Sequence, residues 1–151
     1  MNLWEIQPKL VELLQASPLL QGITILADDG TYPKTPQRES AVQKKGLVLI
    51  VWSVEGGGVV HASANGFGIE SIASPVVIEE NVAVNRATGG TGIVLEQAIQ
   101  YVRSAIIGQF KPGAPYDTFR LSSPSFHQLG VVNGTRRAAV LVHTLQPIKP
   151  A

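Results

Sequence analysis

The stretch IEENVAVNRATGGTGIVLEQAI, from Ile78 to Ile99, decides how this chain is read. It holds the adjacent carboxylates Glu79 and Glu80, the string Asn81-x-x-x-Asn85-Arg86, and a glycine-rich turn running into a helical pattern. Such a stretch is either a site that does chemistry or a strand–turn–helix joint. The helical part is the clearest in the chain. Between Ile93 and Ile107, Leu95, Ala98, Ile99, Val102 and Ile106 fall on one face, with Glu96, Gln100 and Arg103 away from it. Thr91 can cap this helix and Gly108 can stop it.

The turn RATGGTG, Arg86 to Gly92, sits where phosphate-binding loops occur, because backbone N–H groups at a helix start face an anion there. A P-loop needs Lys after its last glycine, and Ile93 occupies that place; the dinucleotide spacing G-x-G-x-x-G is also missing. Two readings stay open: a turn that starts a capped helix, which the missing lysine favours, and a small-molecule or nucleotide-binding module. Glu79 and Glu80 point to opposite faces of a strand, so they do not chelate one metal together. Neither is followed two residues on by the Lys that a nuclease of the Asp…Glu-x-Lys type requires. Asp28-Asp29-Gly30 is ordinary turn chemistry.

Upstream, Leu3, Ile6, Leu10, Leu13 and Leu14 mark an amphipathic helix. Pro8 belongs in a first turn, which predicts a start near Gln7, and Ser17-Pro18 ends it. Gly22 to Ala27 reads as a short strand and Thr31 to Lys45 as a long polar loop. GLVLIVWSV, Gly46 to Val54, is a continuous apolar run that suits a central strand covered on both faces. Residues 55–68 form a glycine-rich hairpin arm. A strand region follows from Ile69 to Val84, with Pro75 expected at an edge or bulge. Downstream, residues 109–128 with Pro112, Pro115 and Pro124 read as an irregular connection. LGVVNGTRRAAVLVHTL then closes the chain as a hairpin turning at Asn133-Gly134. The expected fold is α+β: a mostly antiparallel twisted sheet, two helices packed on one face, long loops and the glycine-rich arm, in a single domain over residues 1–151.

Composition narrows the function. The chain has 151 residues, 15% of them charged, a net charge of +1 and no cysteine. Disorder, disulfides and thiolate chemistry drop out. A near-neutral chain does not bind nucleic acid through bulk charge, and aromatics do not interleave with the doublets Lys44-Lys45 and Arg136-Arg137, which read as solvated strand ends. No apolar run reaches the roughly 20 residues of a membrane span. His61, His127 and His143 lack ligand spacing, and no serine sits in G-x-S-x-G. An enzyme would need Asp28 or Asp29 to meet one of these histidines. No catalytic residue, cofactor or metal is expected.

The layout of an opening amphipathic helix, VVIEENVAVNRATGGTG passing straight into a second helix, a proline-rich loop and the terminal strand RRAAVLVHTL resembles the small tail proteins of long-tailed bacteriophages and prophages. The tail terminator, or tail-completion, proteins and their minor tail relatives are the nearest in type. The resemblance spans most of the chain by element order; its specific strings are Glu79-Glu80-Asn81, Val84-Asn85-Arg86 and TGGTG. It implies a structural protein of the virion tail, assembled in the bacterial host cytoplasm, and not an enzyme. It implies a homo-oligomer, a hexameric ring that caps the tail tube, with the tail tube protein and head–tail connector proteins as partners. On this reading Glu79, Glu80, Asn81, Asn85 and Arg86 lie at a subunit interface, with Arg86 paired to Glu79 or Glu80 of its own or a neighbouring chain. The glycine-rich arm and the loop at 28–45 lie outside the resemblance; Val59, Val60 and Phe67 of the arm, set among glycines, are expected either to contact the tail tube and become ordered on assembly or to form a mobile hairpin tip.

Overall fold

The computed structural model describes residues 1–28, 42–62, 68–113 and 116–148; of residues 59–62 it describes the backbone alone. The first helix, α1 (Leu3–Ala16), leads through a turn of 3-10 helix (Pro18–Leu20) into β1 (Thr24–Ala27). After a helical turn at 42–45 come β2 (Leu47–Val51), β3 (Glu55–Ala62), β4 (Gly68–Ala73) and β5 (Val76–Asn81). A one-turn helix, α2 (Val82–Asn85), and the glycine turn precede α3 (Leu95–Gln109). The long strands β6 (Phe119–Val132) and β7 (Thr135–Ile148) finish the described chain.

The strands form one sheet in the order β1-β2-β5-β7-β4-β3, with β6 on the other edge of β7. Among the described strands only β1 and β2 run parallel. Registers show that this sheet is built from fewer, longer ribbons. Val76–Asn81 pairs with Val140–Thr135 and Gly68–Ala73 with Ile148–His143, so β4 and β5 lie in a single register along β7. Between them Ser74 N donates to Val142 O at 2.9 Å. The partner ribbon, β2 followed by β3, breaks at the same level.

Pro75 explains the break, and it stands inside the sheet instead of at an outer edge. Its carbonyl accepts from Trp52 N at 2.9 Å. The N–H that proline lacks would have served Trp52 O, and the Ser74 hydroxyl donates to that carbonyl instead, at 2.9 Å. The glycine-rich arm is therefore the outer half of the central hairpin. Its tip, 63–67, which includes Phe67, lies outside the described residues, as do the side chains of Val59 and Val60.

Strand alternation sorts the core onto two faces. Leu47, Leu49, Val51, Val76, Ile78 and Val140 join Ile6, Leu10 and Leu14 of α1 and the whole apolar stripe of α3 in one cluster. Both helices thus cover the same face, as expected. Val48, Ile50, Val77 and Ala139 form a smaller cluster on the other face with Val42 from the helical turn. All five residues of β2 are buried, as its unbroken apolar run predicts.

The largest differences in element ends are four, and α3 also runs through Gly108, expected to stop it, to Gln109. The first helix begins at Leu3, not near Gln7: Asn2 N donates to Glu5 Oε2 at 2.6 Å and Glu5 N to the Asn2 carbonyl at 2.9 Å, and burial of Ile6 offsets the bond lost at Pro8. Residues 42–45 are helical where a loop was expected. The strand through Ile69–Val84 ends at Asn81, whose side chain accepts from Val84 N at 3.3 Å and turns the chain into α2. The expected irregular connection becomes strand from Phe119, because β6 is an edge strand that accommodates Pro124 at a register shift between Leu121 and Phe126. The Asn133-Gly134 turn forms as read, both residues with positive φ (50° and 77°).

Candidate functional site

β5 lies between β2 and β7, so an Glu-Glu doublet on it must bury one carboxylate on each face. Glu79 is 3% exposed and Glu80 0%. Their neighbours on β7 are set by register: Glu79 stands opposite Arg137 and Glu80 opposite Arg136. The paired doublets give each buried carboxylate a cation on its own face. Arg137 Nε lies 3.5 Å from Glu79 Oε2, and Arg136 Nη1 donates to Glu80 Oε1 at 3.3 Å.

Glu80 also organises the joint. Its Oε2 accepts from Asn85 Nδ2 at 2.6 Å. Its Oε1 accepts from the backbone N–H of Leu95, the first residue of α3, at 3.3 Å. Arg86 approaches both oxygens at 3.5 Å. The carboxylate thus sits against the positive end of α3, supplying the acceptor that the N-cap residue, Val94, lacks and adding its charge to that of Glu96 in the first turn. The Gln97 side chain accepts from Val94 N at 3.0 Å and covers a second N–H group.

Asn85 is the hub of the turn. Besides Glu80, its Nδ2 donates to Ile93 O at 2.7 Å, its Oδ1 accepts from the Thr91 hydroxyl, and its carbonyl accepts from Gly92 N at 3.0 Å. Thr91 therefore ties the loop to Asn85, and its hydroxyl accepts from Ile93 N at 3.2 Å, instead of capping α3 as expected. Two glycines are required by close approach. A Cβ on Gly46 would lie 2.2 Å from Asn85 N, and one on Gly90 would lie 2.3 Å from the carbonyl oxygens of Val84 and Asn85. Lys45 O accepts from Thr91 N at 3.1 Å and Gly46 O from Asn81 N at 2.8 Å, which lock the loop to the root of β2.

Arg136 links the buried carboxylate to the surface by bonding both Glu80 and Glu96. The hydrogen bond from Arg136 holds the Glu96 carboxyl below its ordinary value, and the same bond raises the Arg136 guanidinium.

All five residues singled out in the joint come together, but not on one surface. Glu79, Glu80 and Asn85 are buried; Glu80 and Asn85 bond partners within the chain, and Glu79 lies against Arg137. Asn81 is half-buried, and Arg86 keeps 47% of its side chain exposed while pairing with Glu80 of its own chain. Sequence reading missed Arg136 and Arg137 as members of the site. The signal was present as a Glu-Glu doublet and an Arg-Arg doublet on strands that pair antiparallel.

An anion-binding turn finds little support in this geometry. The helix start where phosphate would sit already holds a carboxylate. Among the described residues, two of the cavities lie away from the joint. One, of about 340 Å³, is lined by Ile106, Phe110, Phe119, Arg120, Leu121 and His143. The other, about 560 Å³, opens between the C-terminal halves of α1 and α3. His143 shares a 2.9 Å hydrogen bond with the Ser122 hydroxyl. Among the described residues no group of three or more His, Asp or Glu is placed to hold a metal ion, and no helix is long and apolar enough to cross a membrane. No known protein family matches the chain, and no curated protein matches it at a significant level.

Proposed function

We propose that this chain is a structural subunit of a phage or prophage tail, a ring-forming tail terminator that caps the tail tube and contributes to head–tail joining. The observation that carries the reading is the use made of the most distinctive part of the sequence. Glu80, Arg136, Asn85 and the glycine turn, residue types that a reaction could use, instead weld a strand, a helix and a hairpin root into one joint. Buried groups committed to each other favour a subunit whose job is to hold shape under load over one that turns over a substrate. The element order, with two helices over one sheet face, agrees with the tail-protein resemblance. Asn81 and Arg86 are the members of the joint that retain surface with which to face a neighbour.

The test is native mass across a concentration series, with negative-stain images of the large species. Closed rings of uniform size are expected, together with end-capping when purified tail tubes are added. Strong thermal stabilisation by phosphate compounds or nucleotides in a chain that neither forms rings nor binds tubes would replace this reading with the ligand-binding one.

A further inference from the structure

Two exposed apolar patches lie at the two ends of β5, six residues or roughly 20 Å apart, and the outer hairpin of β3 and β4 continues past the first of them. At one end β1 and β2 finish. There Asp28 N donates to Val51 O at 2.8 Å, and the Gln7 side chain of α1 donates to the carbonyls of both Asp28 and Val51. Trp4 lies one helical turn before Gln7, and Trp52 directly follows Val51. These are the two tryptophans of the chain, and both are exposed, by 76% and 39%, with Leu3 beside them at 52%. Glu5, Asp28 and Glu55 flank them, with Lys9 further along α1.

At the other end the β6–β7 turn presents Leu129, Val131 and Val132, exposed by 46%, 64% and 61%. Gly134 O accepts from Val82 N at 3.4 Å, which sets this turn beside the joint. Lys45 and Arg86 belong to the same end and are exposed along with Lys44, whereas Glu79 and Glu80 are buried beneath. One end is thus aromatic with carboxylates in excess around it; the opposite end is aliphatic with cations in excess, Lys44, Lys45, Arg86 and Arg136 against the half-exposed Glu96.

We propose that the two ends form one heterologous contact, in which the tryptophan end of one copy of this chain seats on the β6–β7 tip of the next. Charge decides the pairing. Either end meeting its own kind would set like charges together, and the two unlike ends match both in sign and in apolar content. An exposed tryptophan flanked by leucine is the kind of side chain that anchors an interface centre. A contact between unlike patches repeats from copy to copy and closes into a ring or runs on as a filament according to its rotation. The contact deepens the ring reading above and rests on it for closure alone.

The experiment follows native mass and tryptophan emission of the full chain over a concentration series. Emission should move to shorter wavelength as mass rises, because association covers both tryptophans. Trp4→Ala and Val131→Asp should each weaken association by about 30-fold or more. An equimolar mixture of the two variants should form a dimer and nothing larger, since one intact tryptophan end then meets one intact tip. Circular dichroism should match wild type for both; Lys44→Glu with Lys45→Glu, expected to weaken association too, probes the same end without touching the hairpin. Variants that assemble like wild type, a mixture that does not pair, or a wild type monomeric up to about 1 mM would overturn the proposal. Filaments in place of rings would keep the contact and remove the ring reading. Rings that survive both substitutions would remove the contact and keep the ring reading.

Discussion

Glu80→Gln tests the joint most directly, because it keeps the shape of the side chain and removes its charge. The carboxylate accepts from Asn85 Nδ2 at 2.6 Å on one oxygen, and from Leu95 N and Arg136 Nη1, each at 3.3 Å, on the other. An amide can present an oxygen to one side only. In one orientation its NH₂ faces the NH₂ of Asn85; in the other it faces Leu95 N and Arg136. A hydrogen bond to a charged group contributes about 1.5–3 kcal/mol, and a buried donor left unmatched costs about 1–3 kcal/mol. Relief of the buried charge offsets part of this. The expected net loss is about 2–4 kcal/mol, which for a domain of this size lowers Tm by roughly 4–16 °C. Urea unfolding measures the loss, and hydrogen exchange locates it: the first turn of α3, from Leu95, should lose protection first. Glu96→Gln is the control, since its partner Arg136 is shared but its own side chain is 55% exposed, and it should cost less than about 1 kcal/mol. A Glu80→Gln loss below about 0.5 kcal/mol, the range of ordinary surface changes, would refute the reasoning. So would unchanged exchange at the start of α3.

Gly46→Ala should cost more than about 3 kcal/mol in denaturant unfolding, because φ is +83° and the new Cβ meets the Asn85 backbone at 2.2 Å. Gly108→Ala should instead stabilise by about 0.5–1 kcal/mol, since that position is helical and has nothing within 4 Å of the added carbon. Arg86→Ala should leave the fold within about 1 kcal/mol of wild type, its contacts to Glu80 being long at 3.5 Å and its side chain half in water; a larger loss in a thermal melt would make it a core member of the joint. Burial, with Arg120 adding to it, holds His143 below its ordinary value of 6.5. The unfolded chain then takes up the proton first, so stability is full above about pH 6.5 and declines as pH falls from there towards the folded value. His143→Gln should flatten that decline when unfolding is compared at about pH 7 and pH 5.

What was legible in this sequence is what a single element determines. The α3 stripe of Leu95, Ala98, Ile99, Val102 and Ile106 is buried as its spacing requires, and the run through Leu47–Val51 is covered on both faces. The opposite facing of Glu79 and Glu80 likewise follows from strand geometry alone. What was not legible depends on which strands meet. Arg136 and Arg137 read as solvated strand ends until the register sets them opposite Glu80 and Glu79. Gly46 reads as a strand start until the backbone of Asn85, far along the chain, is found against it. Pro75 read as an edge or bulge residue because its missing donor must be excused somewhere; that Ser74 supplies the donor shows only once Trp52 is opposite. The function turns on the same distinction. Carboxylates, asparagines and a glycine turn within 14 residues look like chemistry when their partners are unknown. With Arg136, Leu95 N and Ile93 O in place, Glu80 and Asn85 at the centre of that set face partners from the same chain, and the stretch reads as a structural joint.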